Sequence, residues 1–141
     1  MGSLNILQDL GYDAQLDTFI QSQDLADFEI GRIIRESKKK YMVKTQGGNY
    51  HGQISGKLRH EAKNRSDYPA VGDWVTIKPM ENDQVIIYEI LPRKTIIERQ
   101  AIGQFGKKQT IATNVDVAFV MQDITYDFNL NRLDRLIAIC F

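Results

Sequence analysis

The sequence predicts a mainly β protein: a five-stranded OB-type Greek-key barrel with an amino-terminal helical lead-in and a carboxy-terminal strand and helix that open an α/β domain. Three observations carry that prediction. Between residues 28 and 91 apolar side chains recur with a period of two, in short runs punctuated by Gly, Pro and Asn. Five such runs fit there, with one long connection between the third and the fourth, which matches an OB barrel; an SH3-like barrel is the nearest rival. Further on, Val115, Val117, Phe119, Val120 and Met121 make a nearly continuous, β-branched apolar run, the mark of a strand buried on both faces of a parallel sheet.

Residues 1–27 form the lead-in. Leu4, Ile6, Leu7 and Leu10 sit at helical spacing and Gly11 ends that turn. Asp13 then caps a second helix carrying Leu16, Phe19 and Ile20, so a helical hairpin packed on the following domain is expected. Residues 28–92 form the barrel. Its first strand, 28–35, places Phe28, Ile30 and Ile34 on one face, with Gly31 where a bent strand wants no side chain. The second is 40–45. Gly47, Gly48 and Asn49 turn the chain into a third strand, 50–58, in which Tyr50, Ile54 and Leu58 alternate with His51, Gln53 and Lys57. Strands at 73–78 and 85–91 follow, joined by a polar turn and stopped by Pro92. Trp74 reads as core, with Gly72 required for a bend before it.

Residues 93–114 read as a connector, because its centre from Gly103 to Lys108 has no apolar period. In residues 115–141 the buried strand precedes a helix capped by Asn129, with Leu130, Leu133, Leu136 and Ile137 on one face and Arg132 and Arg135 turned outward. A βαβ unit needs another strand after its helix, so the sequence reads as the truncated start of that domain.

With 43% apolar and 26% charged residues, the 141-residue chain is of ordinary globular composition and long enough for a proper core. Its apolar runs fall far short of the roughly 20 residues of a membrane span, and no basic-then-apolar leader opens it; a cytoplasmic protein with no membrane partner is expected. Cys140 alone excludes an internal disulfide framework and, beside only His51 and His60, offers no metal cluster.

The formal charge of zero hides a division along the chain. Residues 1–31 carry −6, residues 32–65 carry +8 and the remainder −2. The middle block therefore predicts a polyanionic partner. Lys38, Lys39 and Lys40 fall on the turn between the first two strands, one of the loops that grip oligonucleotides in OB barrels. Arg32, Arg35 and Lys44 flank them, while Tyr41, Tyr50 and His51 offer flat rings to bases. Arg59, His60 and Lys63 line a second basic stretch on the long connection. Lysines on a hairpin tip also serve simply as a solvated turn, and tyrosines serve equally as barrel core. The opposite loop carries Glu81 and Asp83, so nucleic acid is expected at the lysine end.

Two imitations of nucleotide motifs are set aside. Gly103, Gly106, Lys107 and Lys108 lack the four-residue spacing and the hydroxyl of a phosphate loop, and Asn64, Arg65, Ser66 and Asp67 stand inside the barrel rather than after a nucleotide-domain strand.

Taken as a set, the Gly31, Arg32, Ile33 strand, SGKLRHEA, YPAVGDWV, ILPRKTIIERQA, IATNVDVAFVMQ and DFNLNRLDR resemble the ribosome small subunit-dependent GTPase A family, circularly permuted GTPases of small-subunit maturation. The resemblance covers residues 28–136. It implies an OB barrel that contacts ribosomal RNA of the small (30S) subunit, then a GTPase domain and a zinc-binding segment. GTP, Mg and Zn are implied for the full-length protein only. This chain has no counterpart of their binding residues, so no cofactor and no catalytic residue is assigned to it, and it is expected to be inactive alone and monomeric. Two alternatives stay open: a free-standing oligonucleotide-binding module without enzymatic activity, and an enzyme fragment whose barrel regulates its GTPase domain.

Overall fold

The structure, a computed structural model, describes residues 5–125 and 128–141; Leu4 and Asp127, used above, lie outside them. Five strands close into a barrel in the order β1-β2-β3-β5-β4. They are β1 (Glu29–Ser37), β2 (Lys40–Thr45), β3 (Gly48–Ile54), β4 (Trp74–Pro79) and β5 (Gln84–Ile90). β1 closes the barrel by pairing antiparallel with β4, and β3 and β5 are its parallel pair. That parallel pair is made possible by the long connection after β3, as parallel strands need a crossover.

Alternation along the strands builds the interior. Ile33, Tyr41, Val43, Ile54, Val75, Ile77, Val85 and Ile87 point inward and are buried, each aliphatic burial contributing about 1.5–3 kcal/mol. Gly31 lies in β1 because a Cβ there would stand 2.4 Å from Val43 Cγ1. The first strand's faces differ from expectation. A register shift between Ile33 and Arg35 puts Ile33 inside and leaves Ile34 exposed, while Phe28 and Ile30 pack outside the barrel wall.

That outer wall is the second core. The lead-in folds as the expected helical pair, α1 (Ile6–Asp9) and α2 (Ala14–Ser22), with Asp13 Oδ1 accepting from the amides of Gln15 and Leu16. Leu16, Ile20 and Leu25 cover Trp74 and Leu91, and Tyr12 meets Trp74 edge-on with ring centroids 5.4 Å apart. Trp74 is thus buried, on the outer wall beneath the helices.

Three further elements depart from the sequence reading. The third strand stops at Ile54, because the Ser55 hydroxyl accepts from Leu58 N and starts α3 (Gly56–Glu61), which lays Leu58 on the barrel core. The connector is not irregular. It contains a hairpin of β6 (Ile96–Gln100) and β7 (Lys108–Thr113). Finally, residues 115–121 form no strand among the described residues, since no neighbouring strand is there to pair with. Val117, Phe119 and Met121 are accordingly exposed, at 68%, 87% and 90%. The following helix, α4 (Leu130–Cys140), forms as expected with Asn129 as its cap, and buries none of its residues.

Candidate nucleic-acid interface

The β1–β2 turn is two residues long, with Ser37 paired to Lys40 across it. Lys38 and Lys39 both take left-handed backbone angles, φ 50° and 63°. That is the φ signature of a type I′ hairpin turn, whose preferred residues are Asn and Gly rather than lysine. Lysine at such angles is uncommon, and strained backbone of this kind gathers at functional sites. The Lys39 amide donates to Glu36 Oε1 at 3.1 Å, and Lys39 Nζ stands over the Tyr68 ring at 4.8 Å from its centroid. Such a contact contributes about 0.5–1 kcal/mol at an exposed site.

Beneath this tip runs a groove of about 690 Å³. One wall is the hairpin, with Glu36, Lys38 and Lys39; the floor is Tyr41, Tyr68 and Pro69. Lys63, Asn64 and Arg65 form the second wall, and Gln109 and Thr110 of β7 close the third. The turn at 63–67 is pinned by Asp67, whose Oδ2 accepts from Asn64 N at 2.8 Å and Lys63 N at 2.9 Å. These two amides hold the Asp67 carboxyl below the ordinary aspartate range. Residues 64–67 therefore serve as a capped turn on the groove's rim. Thr110 Oγ1 is buried in its wall without a hydrogen-bond partner.

Of the residues singled out from sequence, the groove brings together Lys38, Lys39, Tyr41 and Lys63. Lys40 and Arg35 are exposed on the same hairpin but do not line it, and Lys44 is half-buried farther along β2. Arg59 and His60 are exposed on the last turn of α3, away from the groove lining. His51 is exposed on β3, its amide donating to Asp83 O at 2.9 Å, which puts it beside the acidic turn.

Two expectations need correction. Arg32 does not face phosphate: its Nε donates to Gly72 O at 3.0 Å and its Nη2 to Asn114 O at 2.8 Å, its Nη1 reaches Leu10 O, and its guanidinium lies over Trp74. It staples the helical lead-in and the β7 exit to the barrel, and burial lowers its pKa. Tyr41 is no free stacking platform either. It is 3% exposed in the barrel core, and burial pushes its phenol up to about 12. Tyr50 is half-buried, packed against the same core.

Arg65 and Tyr68 are groove residues that the sequence reading did not assign to binding, as are Asn64 and Gln109. Arg65 stands at the end of the +8 block, and Tyr68 opens the YPAVGDWV motif; what was missing was the fold that sets them opposite Lys39.

Curated relatives align in sequence with most of the chain. The chain is 35% identical over 132 residues to small ribosomal subunit biogenesis GTPase RsgA 1 of Oceanobacillus iheyensis, covering 93% of the chain and 34% of that protein. It is 37% identical over 112 residues to RsgA 2 of Lactiplantibacillus plantarum, covering 79% and 32%. Over most of its own length the chain is similar to RsgA proteins. It spans about a third of the length of these RsgA relatives. In three dimensions it is similar to the crystal structure of YloQ, a circularly permuted GTPase, with a TM-score of 0.51 and 23% identity over 81% of this chain and 37% of that one, a likeness of fold. No protein-family model matches the chain. The motifs that resemble RsgA thus have structural roles here: SGKLRHEA is the Ser55 cap and α3, and YPAVGDWV carries the groove's Tyr68 and the bend at Gly72.

Proposed function

We propose that this chain is the RNA-binding barrel of a GTPase acting in small ribosomal subunit biogenesis, and that it grips ribosomal RNA at the β1–β2 hairpin and the groove below it. The observation that carries the reading is the convergence of Lys38, Lys39, Lys63 and Arg65, from sequence-distant elements, on one groove. Cations so placed neutralise phosphates and release counterions, the main source of sequence-independent affinity for nucleic acid. The relatives named as small-subunit biogenesis GTPases supply the partner. Lys40 and Arg35, exposed beside the groove, extend the basic surface, with Arg59 and His60 as an outlying patch.

In this reading the segment 115–141 opens the GTPase domain, its apolar side chains meeting strands contributed by the remainder of that domain. GTP and Mg belong to that domain and Zn to a further segment. Among the described residues no three His, Cys, Asp or Glu gather in one place. The protein acts in the cytoplasm, and the barrel itself is monomeric. No helix among the described residues is long and apolar enough to cross a membrane.

Co-sedimentation of the 141-residue chain with purified small ribosomal subunits tests the proposal, with calorimetry against GTP and Mg²⁺ alongside. Co-sedimentation at low salt with no heat from GTP is expected. Failure to bind subunits at any salt contradicts the RNA-binding role, and micromolar GTP binding contradicts the division of labour.

A further inference from the structure

We propose that the groove seats an unpaired nucleotide of RNA, its base stacked on Tyr68 and its phosphates held by Lys39, Lys63 and Arg65, so that the chain selects single-stranded or bulged RNA over duplex. The inference rests on the RNA-binding reading and adds to it the form of RNA recognised.

Tyr68 is the ring the groove makes available. It is half-buried against the barrel core, and the Lys39 ammonium stands over its ring at 4.8 Å from the centroid. A cation over an aromatic face is a weak tenant, and base–aromatic stacking outweighs it. An incoming base therefore displaces Lys39 from the ring. The released ammonium, fixed to a short hairpin by the left-handed turn, stays within the groove and moves onto the nucleotide's phosphate. Stacking and charge neutralisation are thus coupled through one lysine. A duplex cannot make this exchange, since its bases are stacked on one another and unstacking costs several kilocalories that the groove does not return. The amides of Asn64 and Gln109 line the same groove and offer donors and acceptors to the base edge. Among the described residues Glu36 is the one carboxylate in its lining, and it is turned to the Lys39 amide. The groove volume of about 690 Å³ falls within the range of small-molecule sites.

The test is fluorescence anisotropy of the 141-residue chain with a 12-nucleotide mixed-sequence RNA, alone and annealed to its complement, at one salt concentration. Wild type, Tyr68→Leu and Tyr68→Phe are compared, because Leu keeps apolar bulk without a π-face and Phe keeps the face. Expected is tighter binding of the single strand, a loss of roughly 5- to 100-fold for Y68L on the single strand only, and retention by Y68F. Equal affinity for both RNAs with Y68L indistinguishable from wild type overturns the inference and leaves the RNA-binding reading standing. Absence of binding to either RNA overturns both. Should Y68L not fold, the Tyr68 ring signals of the wild-type chain decide by NMR: upfield shifts with the single strand and none with duplex are expected, and unmoved signals with bound single strand refute the stacking.

Discussion

Asp73 and Arg93 form a bidentate ion pair, with Arg93 Nε donating to Asp73 Oδ1 and Nη2 to Oδ2, both at 2.8 Å. Asp73 is fully buried, and its two oxygens also accept from Thr113 Oγ1 at 2.6 Å and Ala70 N at 2.8 Å. Arg93 in turn donates to Ser66 O and Tyr68 O, so one guanidinium ties the groove's floor to the barrel exit. Just before Asp73, Gly72 has φ 97° and a Cβ there would lie 1.9 Å from Thr113 O, so only glycine lets β7 approach so closely. Removing one partner leaves a buried, uncompensated charge. Arg93→Met is therefore expected to cost about 3–5 kcal/mol in urea unfolding, with Asp73→Ala and Arg93→Met together costing much less than their sum.

At the hairpin tip the prediction has the opposite sign for stability. Lys38 and Lys39 occupy left-handed positions that Asn and Gly prefer. Lys38→Asn with Lys39→Gly should stabilise the chain by about 1 kcal/mol, a rise of a few degrees in Tm, while weakening RNA binding. A scan of thermal unfolding beside an RNA titration checks both halves.

Acid should loosen the groove's rim. The Asp67 carboxyl is held below the ordinary aspartate value mainly by the amides of Asn64 and Lys63. A carboxylate with a depressed folded pKa contributes stability that is present above its unfolded pKa of about 4 and is lost as pH falls through the lower folded value. Thermal midpoints followed downward from pH 5 should fall more steeply for the parent than for Asp67→Asn, which has no charge to lose. Parallel curves would deny Asp67 this role.

The segment after β7 should exchange its amides fastest. Val115 N donates to Thr95 Oγ1 at 2.7 Å, but residues 117–121 have no ladder partner and expose their apolar side chains. Hydrogen exchange is expected to be complete there while Trp74 to Ile77, in the barrel wall, remain protected. Equal protection of the two regions in a dilute monomer would contradict the unpaired state.

The barrel was legible because strand alternation and turn residues are local, and so were the caps at Asp13 and Asn129. Where one pattern served two periods, the local signal misled. Ile54 and Leu58 are four apart, which suits a strand face and a helix face alike, and Ser55 as a helix cap was the cue that separates them. Tyr41 shares its alternation phase with Val43 and Thr45, so its burial was readable from the strand itself. Arg32 was not readable in this way. Its acceptors lie at positions 10, 72 and 114, brought together only by barrel closure and the β6–β7 hairpin. The groove is hidden from sequence for the same reason: Lys39 and Tyr68 meet through tertiary structure alone.

The salt dependence of binding to small-subunit ribosomal RNA tests the central claim most directly. If about five cations, Lys38, Lys39, Lys40, Lys63 and Arg65, neutralise phosphates, log affinity should fall against log salt with a slope of roughly −3.5 to −4.5, taking 0.7 to 0.9 per contact. Changing Lys38, Lys39 and Lys40 together to Ala should flatten the slope by roughly 2 to 3 units, with the thermal midpoint nearly unchanged because exposed lysines contribute little to stability. Replacing Glu81 and Asp83 on the opposite turn should not weaken binding. Equal slopes for the triple-alanine chain and its parent would contradict the account and move the binding surface away from the hairpin, toward Arg59 and His60.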